Sequence, residues 1–119
     1  MPLRVLIVED DPVMAFHIRS ILEDAGHKVV GVAQSTAQAM SLALGQRPHV
    51  ALVDLMLRHE PEGLDIALEL SSRFKIRILF VTGSDGYEDL ARERAPNLLG
   101  FVVKPFEAKD ILEPLRTLR

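Results

Sequence analysis

The sequence contains no cysteine and no tryptophan, and it has one tyrosine among its 119 residues. Without cysteine, the protein can form neither disulfide bonds nor thiolate metal sites. This composition fits a protein of the reducing cytosol, and we expect a cytoplasmic location.

Long hydrophobic runs are also missing, since no apolar stretch approaches the ~18 residues of a membrane span. The short apolar run after Arg4 is followed at once by acidic residues, so it does not resemble a signal peptide. We therefore predict no membrane partner.

The chain has no excess of positive charge, because 14 Lys and Arg residues face 17 Asp and Glu residues. The cationic residues are scattered, whereas a nucleic-acid-binding domain usually carries a basic patch. We predict no direct contact with nucleic acid. Hydrophobic residues make up 48% of the chain, which is ordinary for a globular protein, and the length suits one domain over residues 1–119.

Five short apolar runs predict the strands, and they lie at residues 5–8, 29–33, 50–53, 76–81 and 98–103. Most are continuous rather than alternating, which is typical of strands buried on both faces of a parallel sheet. Helical patterns separate them, so the chain is expected to form right-handed βαβ units with helices on both faces of the sheet.

The helices have recognisable ends. Asp11 and Pro12 predict the N-cap and first turn of the first helix, and Ser35 predicts the N-cap of the second. The remaining helices are expected at residues 64–74, 88–94 and 107–118. In the third helix we expect Leu68 to face inward, and Pro114 should kink or end the fifth.

Polar residues follow four of the five runs, at the edge where open parallel sheets bind ligands. They are Glu9, Asp10 and Asp11 after the first run, Asp54 after the third, Thr82 after the fourth and Lys104 after the fifth. Clustered carboxylates favour a hard divalent cation such as Mg²⁺. A carboxylate can also be a nucleophile that forms an aspartyl phosphate, and a metal, an ammonium and a hydroxyl stabilise a phosphoryl group in transfer.

Each of these residues also has a purely structural interpretation. For Asp11 the role of helix cap is favoured, and neither Thr82 nor Lys104 alone indicates a site. The combination in this order favours function, with Asp54 as the nucleophile because it stands alone on a central strand. The histidines have no metal-ligand spacing, and we expect structural or solvent roles for His17, His27, His49 and His59.

Four segments resemble a response-regulator receiver domain of two-component signalling. They are VLIVEDDP at 5–12, ALVDLML at 51–57, ILFVTG at 78–83 and GFVVKPF at 100–106, and together they span nearly the whole chain. The resemblance implies a flavodoxin-like (βα)5 fold, with a five-stranded parallel sheet in the order 2-1-3-4-5 and five helices. It implies a signalling switch and not a conventional enzyme, although such domains catalyse their own phosphorylation and dephosphorylation.

The resemblance also implies residue roles. Asp54 would accept a phosphoryl group from a histidine kinase or a histidine phosphotransfer protein. Mg²⁺ (or Mn²⁺) would be bound by Asp10, by Asp54 and by the backbone carbonyl of Met56, with Glu9 acting through water. Lys104 would contact a phosphoryl oxygen.

The implied switch involves the fourth and fifth strands. The Thr82 hydroxyl would move toward the phosphate, and the ring of Phe101 would follow, changing the surface offered to a downstream protein target. The peptide bond between Lys104 and Pro105 would be cis. The chain departs from the usual pattern at Glu9, where Asp is common, and in the remodelled segment LMLRHEPEG after Asp54.

Two other functions compete with this interpretation. A phosphatase of the haloacid dehalogenase type also uses an Asp nucleophile, but here no second acid follows Asp54 at two residues' distance. A receiver-like docking module would not need the full set of Asp10, Asp54, Thr82 and Lys104. Met1 and the lack of an output domain favour a stand-alone regulator, while a fragment of a longer protein stays open, as do the oligomeric state, the kinase and the signal.

Overall fold

The computed structural model describes residues 2–83, 86–95 and 97–118. Its elements are β1 Arg4–Val8, α1 Pro12–Asp24, β2 Lys28–Ala33, α2 Thr36–Gln46, β3 Val50–Val53, α3 Glu62–Phe74, β4 Arg77–Thr82, α4 Glu88–Arg94, β5 Leu98–Val103, α5 Ala108–Leu115 and a final 3-10 turn Arg116–Leu118. None of the helices in these ranges is both long and apolar enough to span a bilayer.

The five strands form one parallel sheet in the order β2-β1-β3-β4-β5, which confirms the predicted topology. Helices α1 and α5 cover one face, and α2, α3 and α4 cover the other. The central strand β3 is fully enclosed, with every residue of Val50–Val53 no more than 1% exposed. Burial on both faces explains why the strands are continuous apolar runs.

The predicted helix starts are present. The Asp11 side chain accepts hydrogen bonds from the backbone amides of Val13 and Met14, and Ser35 Oγ accepts one from Gln38. These contacts satisfy amides that have no partner within the helix.

Helix α3 starts at Glu62, two residues earlier than expected. Leu68 is half-buried and packs against the core, as expected, and Ile66 on the same helix is fully buried. Helix α5 ends one residue after Pro114 and continues only as a 3-10 turn, which confirms the expected effect of this proline. Proline has no amide hydrogen to donate to the carbonyl four residues earlier, so the early end has a direct cause.

Two histidines hold the start of β1. The Leu3 amide donates to His27 Nδ1 at 3.0 Å, and the Arg4 amide donates to His49 Nδ1 at 2.9 Å. These are structural roles, as the sequence predicted, and they fix β1 between the chain segments that enter β2 and β3.

Candidate functional site

The carboxyl ends of β1, β3, β4 and β5 meet at one cavity of about 500 Å³. The predicted residues Glu9, Asp10, Asp54, Met56, Thr82 and Lys104 all line it. The backbone hydrogen bonds of the sheet bring them together, because they continue for one residue past three of the strands. The amide of Asp54 donates to the carbonyl of Val8, that of Glu9 to Ala33, and that of Lys104 to Thr82.

Lys104 joins two carboxylates inside this cavity. Its Nζ lies 2.9 Å from Glu9 Oε1 and 3.1 Å from Asp54 Oδ2. The Glu9 side chain is 2% exposed, that of Asp54 9% and that of Lys104 19%. The ammonium therefore compensates two largely buried negative charges, and such pairing is what makes their burial tolerable.

Burial alters the electrostatics of Glu9. Desolvation raises the pKa of Glu9 from 4.5 to about 7; the hydrogen bond from Lys104 opposes this rise, and the charge of Asp54 adds to it. For Lys104, burial lowers the pKa, but the hydrogen bond to Glu9 and the charge of Asp54 outweigh it and leave the pKa above 10.5. Lys104 therefore stays charged at neutral pH.

Three carboxylates of the cavity could share one cation. Oxygens of Glu9, Asp10 and Asp54 lie within 4.8 Å of one another, two of these residues are buried and Asp10 is half-buried. An all-oxygen set with excess negative charge fits a hard cation such as Mg²⁺. Met56 lies beside them, and its amide donates to Asp54 Oδ1 at 3.1 Å.

The segment between β3 and α3 forms a tight turn over the cavity. Leu57 and Glu60 exchange two backbone hydrogen bonds of 2.8 and 2.9 Å, and the residues between them, Arg58 and His59, both have positive φ. The Arg58 amide donates to Asp10 Oδ2 at 2.9 Å. The turn thus holds one of the clustered carboxylates in place.

Helix α3 begins directly against the backbone that carries Asp54. A Cβ atom at Gly63 would lie 1.9 Å from the carbonyl oxygen of Asp54, and the Gly63 amide donates to Leu55 at 2.9 Å. Only glycine permits this approach.

Thr82 is fully buried at the end of β4, and Gly83 after it is exposed. Phe101 does not line the cavity; it lies half-buried on β5 beside a surface groove, with its ring centroid 5.7 Å from that of Phe80. The peptide bond between Lys104 and Pro105 is cis. Of the predicted residues, Phe101 and Pro105 therefore lie outside the lining of the cavity, and the others are gathered there.

Sequence reasoning missed three residues of this region. Arg58 and His59 line the cavity, although His59 was assigned a structural or solvent role and Arg58 none. Gly63 was not singled out, although a glycine just after the acidic run Glu60 to Glu62 was a visible signal for close backbone approach.

These features are those of the response regulator receiver domain. The sequence model of that family matches residues 5–116 of this chain. The chain belongs to this receiver-domain family. Receiver domains are the phospho-accepting signalling switches of two-component systems, and they bind Mg²⁺ at an acidic pocket.

Curated relatives contain this domain as part of a longer chain. The phyllosphere-induced regulator PhyR of Methylorubrum extorquens is 30% identical over 112 residues, which cover 93% of this chain and 41% of that protein. The transcriptional regulatory protein PdtaR of Mycobacterium tuberculosis is 28% identical, covering 94% and 54%. The chain thus spans about half the length of these relatives.

Solved receiver structures are similar over almost the whole chain. The receiver domain of a modulated diguanylate cyclase from Desulfovibrio desulfuricans is 33% identical with a TM-score of 0.85, covering 98% of this chain and 93% of that one. The response regulator PhyR from Brucella abortus is 30% identical with a TM-score of 0.80, covering 98% and 47%.

Proposed function

We propose that this receiver takes a phosphoryl group from a phosphohistidine onto Asp54 and thereby switches a surface read by a downstream protein. The donor is a histidine kinase or a histidine phosphotransfer protein of the cytoplasm. The observation that supports this most strongly is the placement of Asp54, which shares one cavity with two further carboxylates and is in contact with Lys104.

The transfer step is a displacement at phosphorus. A carboxylate oxygen of Asp54 attacks the phosphorus atom and forms a new O–P bond, while the P–N bond to the donor histidine breaks. The imidazole leaves with the electron pair of that bond. Hydrolysis later adds water to the phosphorus, which releases inorganic phosphate and restores the Asp54 carboxylate.

Asp10, Asp54 and the Met56 carbonyl would hold Mg²⁺, with Glu9 acting through water; Mn²⁺ would fit the same oxygen ligands. The bound cation supplies positive charge for the phosphoryl oxygens during transfer. The chain's own residues hold the carboxylates in position, chiefly through the amides of Met56 and Arg58.

Lys104 is placed to contact a phosphoryl oxygen on Asp54. Its ammonium already lies 3.1 Å from the Asp54 carboxylate, so little movement is needed when three anionic oxygens arrive there. Phosphorylation adds roughly −1.5 to −2 charge, which draws Lys104 from Glu9 toward the phosphate.

The switch we propose runs from Thr82 to Phe101. Thr82 closes β4 at the cavity, and Phe101 lies on the neighbouring strand, paired with Phe80 in the sheet. Movement of the Thr82 hydroxyl toward the phosphate would vacate space behind it, and inward rotation of Phe101 would fill that space. The surface formed by α4, β5 and α5 would then differ between the two states.

The alternatives have less support. A haloacid dehalogenase-type phosphatase would need a second acid shortly after the nucleophile, and here Leu55 and Met56 follow Asp54. A docking module would have no use for a lysine buried between two carboxylates. The reaction is therefore the chain's own phosphorylation and dephosphorylation, not turnover of an external phosphoester.

The test uses phosphoramidate, whose P–N bond imitates a phosphohistidine. The protein is incubated with phosphoramidate and Mg²⁺ and measured by intact mass, beside Asp54→Asn and a sample containing EDTA. We expect the mass of one phosphoryl group on the parent with Mg²⁺ only. An equal adduct on Asp54→Asn would refute the assignment of the acceptor. No adduct on the parent, with an active receiver as positive control, would support the docking module instead.

A further inference from the structure

We infer that Arg58 is a specificity-determining contact for anionic phosphoryl donors. Before a donor binds, the guanidinium of Arg58 is held by its ion pair with Glu62. This inference rests on the proposed function, since it concerns the same phosphoryl-transfer site.

The position of Arg58 is fixed by the turn between β3 and α3. Its amide is bound to Asp10 Oδ2, its φ is 50°, and the backbone hydrogen bonds between Leu57 and Glu60 close the turn on either side. The residue itself lines the cavity that contains Asp54. Because the backbone is anchored, only the side chain has freedom to move at the cavity mouth.

The charge balance of the cavity leaves a role for a second cation. Four acids line it, Glu9, Asp10, Asp11 and Asp54, and the two Lys or Arg side chains among its described lining residues are Lys104 and Arg58. Lys104 is largely buried and is already bound to two carboxylates. The acids therefore outnumber the Lys and Arg side chains of this lining until a metal ion binds, and Arg58 is the exposed one of the two cations.

The guanidinium of Arg58 is held weakly enough to be released. One nitrogen, Nη2, donates to both oxygens of Glu62 at 3.2 Å, and the arginine side chain is 63% exposed. Such exposed pairs are weak because water screens them. Glu62 is the more fixed partner, since it is 29% exposed, belongs to α3 and accepts a further hydrogen bond from Thr36 Oγ1 at 3.2 Å.

An arginine in this place distinguishes donors by their charge. In acetyl phosphate the negative charge lies on the phosphoryl oxygens and the acetyl group is neutral until it leaves as acetate, whereas phosphoramidate carries a positive nitrogen next to its phosphoryl oxygens. A mobile guanidinium at the rim attracts the first donor more strongly than the second. Removing Arg58 should therefore change the ratio of the two rates, which a merely structural role would not do.

The experiment measures the rate of Asp54 phosphorylation with each donor in saturating Mg²⁺, for the parent, Arg58→Ala, Arg58→Lys and Glu62→Gln. Arg73→Ala is the matched control, because Arg73 forms the same kind of i,i+4 pair, with Glu69, at the other end of α3. Because a helix rises about 1.5 Å per residue, the length of α3 separates the Arg73–Glu69 pair from the cavity.

We expect Arg58→Ala to lower the rate of phosphorylation by acetyl phosphate roughly three- to ten-fold when the donor is below saturation, because the donor binds more weakly. The rate with phosphoramidate should change less. Arg58→Lys should recover part of the loss. Glu62→Gln removes the negative charge that holds the guanidinium and should raise the acetyl phosphate rate. Added salt should reduce the difference between parent and Arg58→Ala, since it screens the attraction.

Equal ratios of the two rates in Arg58→Ala, Arg73→Ala and the parent would overturn the inference while leaving the proposed function intact. Failure of the parent to be phosphorylated by either donor would instead remove the proposed function itself. A circular dichroism spectrum and urea unfolding curve for each variant separate loss of folding from loss of the contact. If Arg58→Ala is unstable, Glu62→Gln tests the inference in its place, because it should raise the acetyl phosphate rate, and an unchanged rate would overturn the inference.

Discussion

Lys104 Nζ lies 2.9 Å from Glu9 Oε1, although the two residues are 95 positions apart in the sequence. They directly follow strands β1 and β5, which are not neighbours in the sheet. The contact crosses over the ends of β3 and β4, so Lys104 passes directly beside Asp54. The cavity is thus held together by charge pairing across most of the width of the sheet.

Removal of the lysine should destabilise the protein. Lys104→Ala leaves two largely buried carboxylates without a cation, and we expect a loss of about 3 kcal/mol in the free energy of unfolding at pH 8 without divalent cations. Urea unfolding followed by circular dichroism measures it. The control is Lys109→Ala, whose pair with Glu107 is exposed and spans 3.6 Å, and which should change stability by less than about 0.5 kcal/mol. Equal effects of the two substitutions would contradict this interpretation of the pair.

The raised pKa of Glu9 predicts a dependence of stability on pH in metal-free buffer. Because the folded-state pKa of about 7 exceeds 4.5, the stability gained by protonating Glu9 is fully present below pH 4.5 and is lost as pH rises to about 7. This corresponds to about 3 kcal/mol. Glu9→Gln cannot ionise, so its stability relative to the parent should increase between pH 5 and pH 8. Urea curves at four pH values test this, and a constant difference would exclude the shift.

Gly63 gives a steric prediction. A methyl group there would overlap the carbonyl oxygen of Asp54, so Gly63→Ala should cost about 2 kcal/mol or more in the free energy of unfolding. A Cβ atom at Gly45, in α2, would meet no neighbouring side chain or strand within 4 Å. Gly45→Ala should therefore stabilise the folded protein by about 0.5–1 kcal/mol. Thermal unfolding of both variants makes the comparison, and a neutral Gly63→Ala would show that α3 does not press on the Asp54 backbone.

Thr82→Ala tests the switch separately from the chemistry. We expect the variant to be phosphorylated on Asp54 but to lose most of the change at Phe101, because the hydroxyl that follows the phosphate is absent. NMR spectra of the Phe101 ring, with and without phosphodonor, report the change. Thr82→Ser keeps the hydroxyl and should restore it. A complete response at Phe101 in Thr82→Ala would disprove the coupling.

The strands and the residues at their ends could be predicted from the sequence for one physical reason. Strands enclosed on both faces are continuous apolar runs, and polar residues just after them necessarily meet at one edge of a parallel sheet. For this reason the sequence alone predicts that Asp54, Thr82 and Lys104 meet at one site. The match was close, since β3 and β5 have the bounds that the apolar runs predicted.

The features that depend on how helices, strands and turns pack against one another could not be predicted from the sequence. The start of α3 at Glu62 and the full burial of Ile66 depend on how this helix packs against the sheet, where a Cβ atom at Gly63 would lie 1.9 Å from the Asp54 carbonyl oxygen. Likewise, Arg58 and His59 adopt positive φ without being glycine or asparagine, so their tight turn has no sequence signature. The pairing of Lys104 with Glu9 rests on side-chain burial, which the sequence does not report.

The most direct test of the account locates the phosphoryl group itself. The protein is incubated with acetyl phosphate and Mg²⁺ and treated with borohydride, which reduces an aspartyl phosphate to homoserine, and the modified peptide is sequenced by mass spectrometry. We predict homoserine at position 54 alone, and none when Mg²⁺ is removed with EDTA. Homoserine at Asp10 or Asp11, with Asp54 unmodified, would contradict the assignment of the acceptor on which the whole account depends.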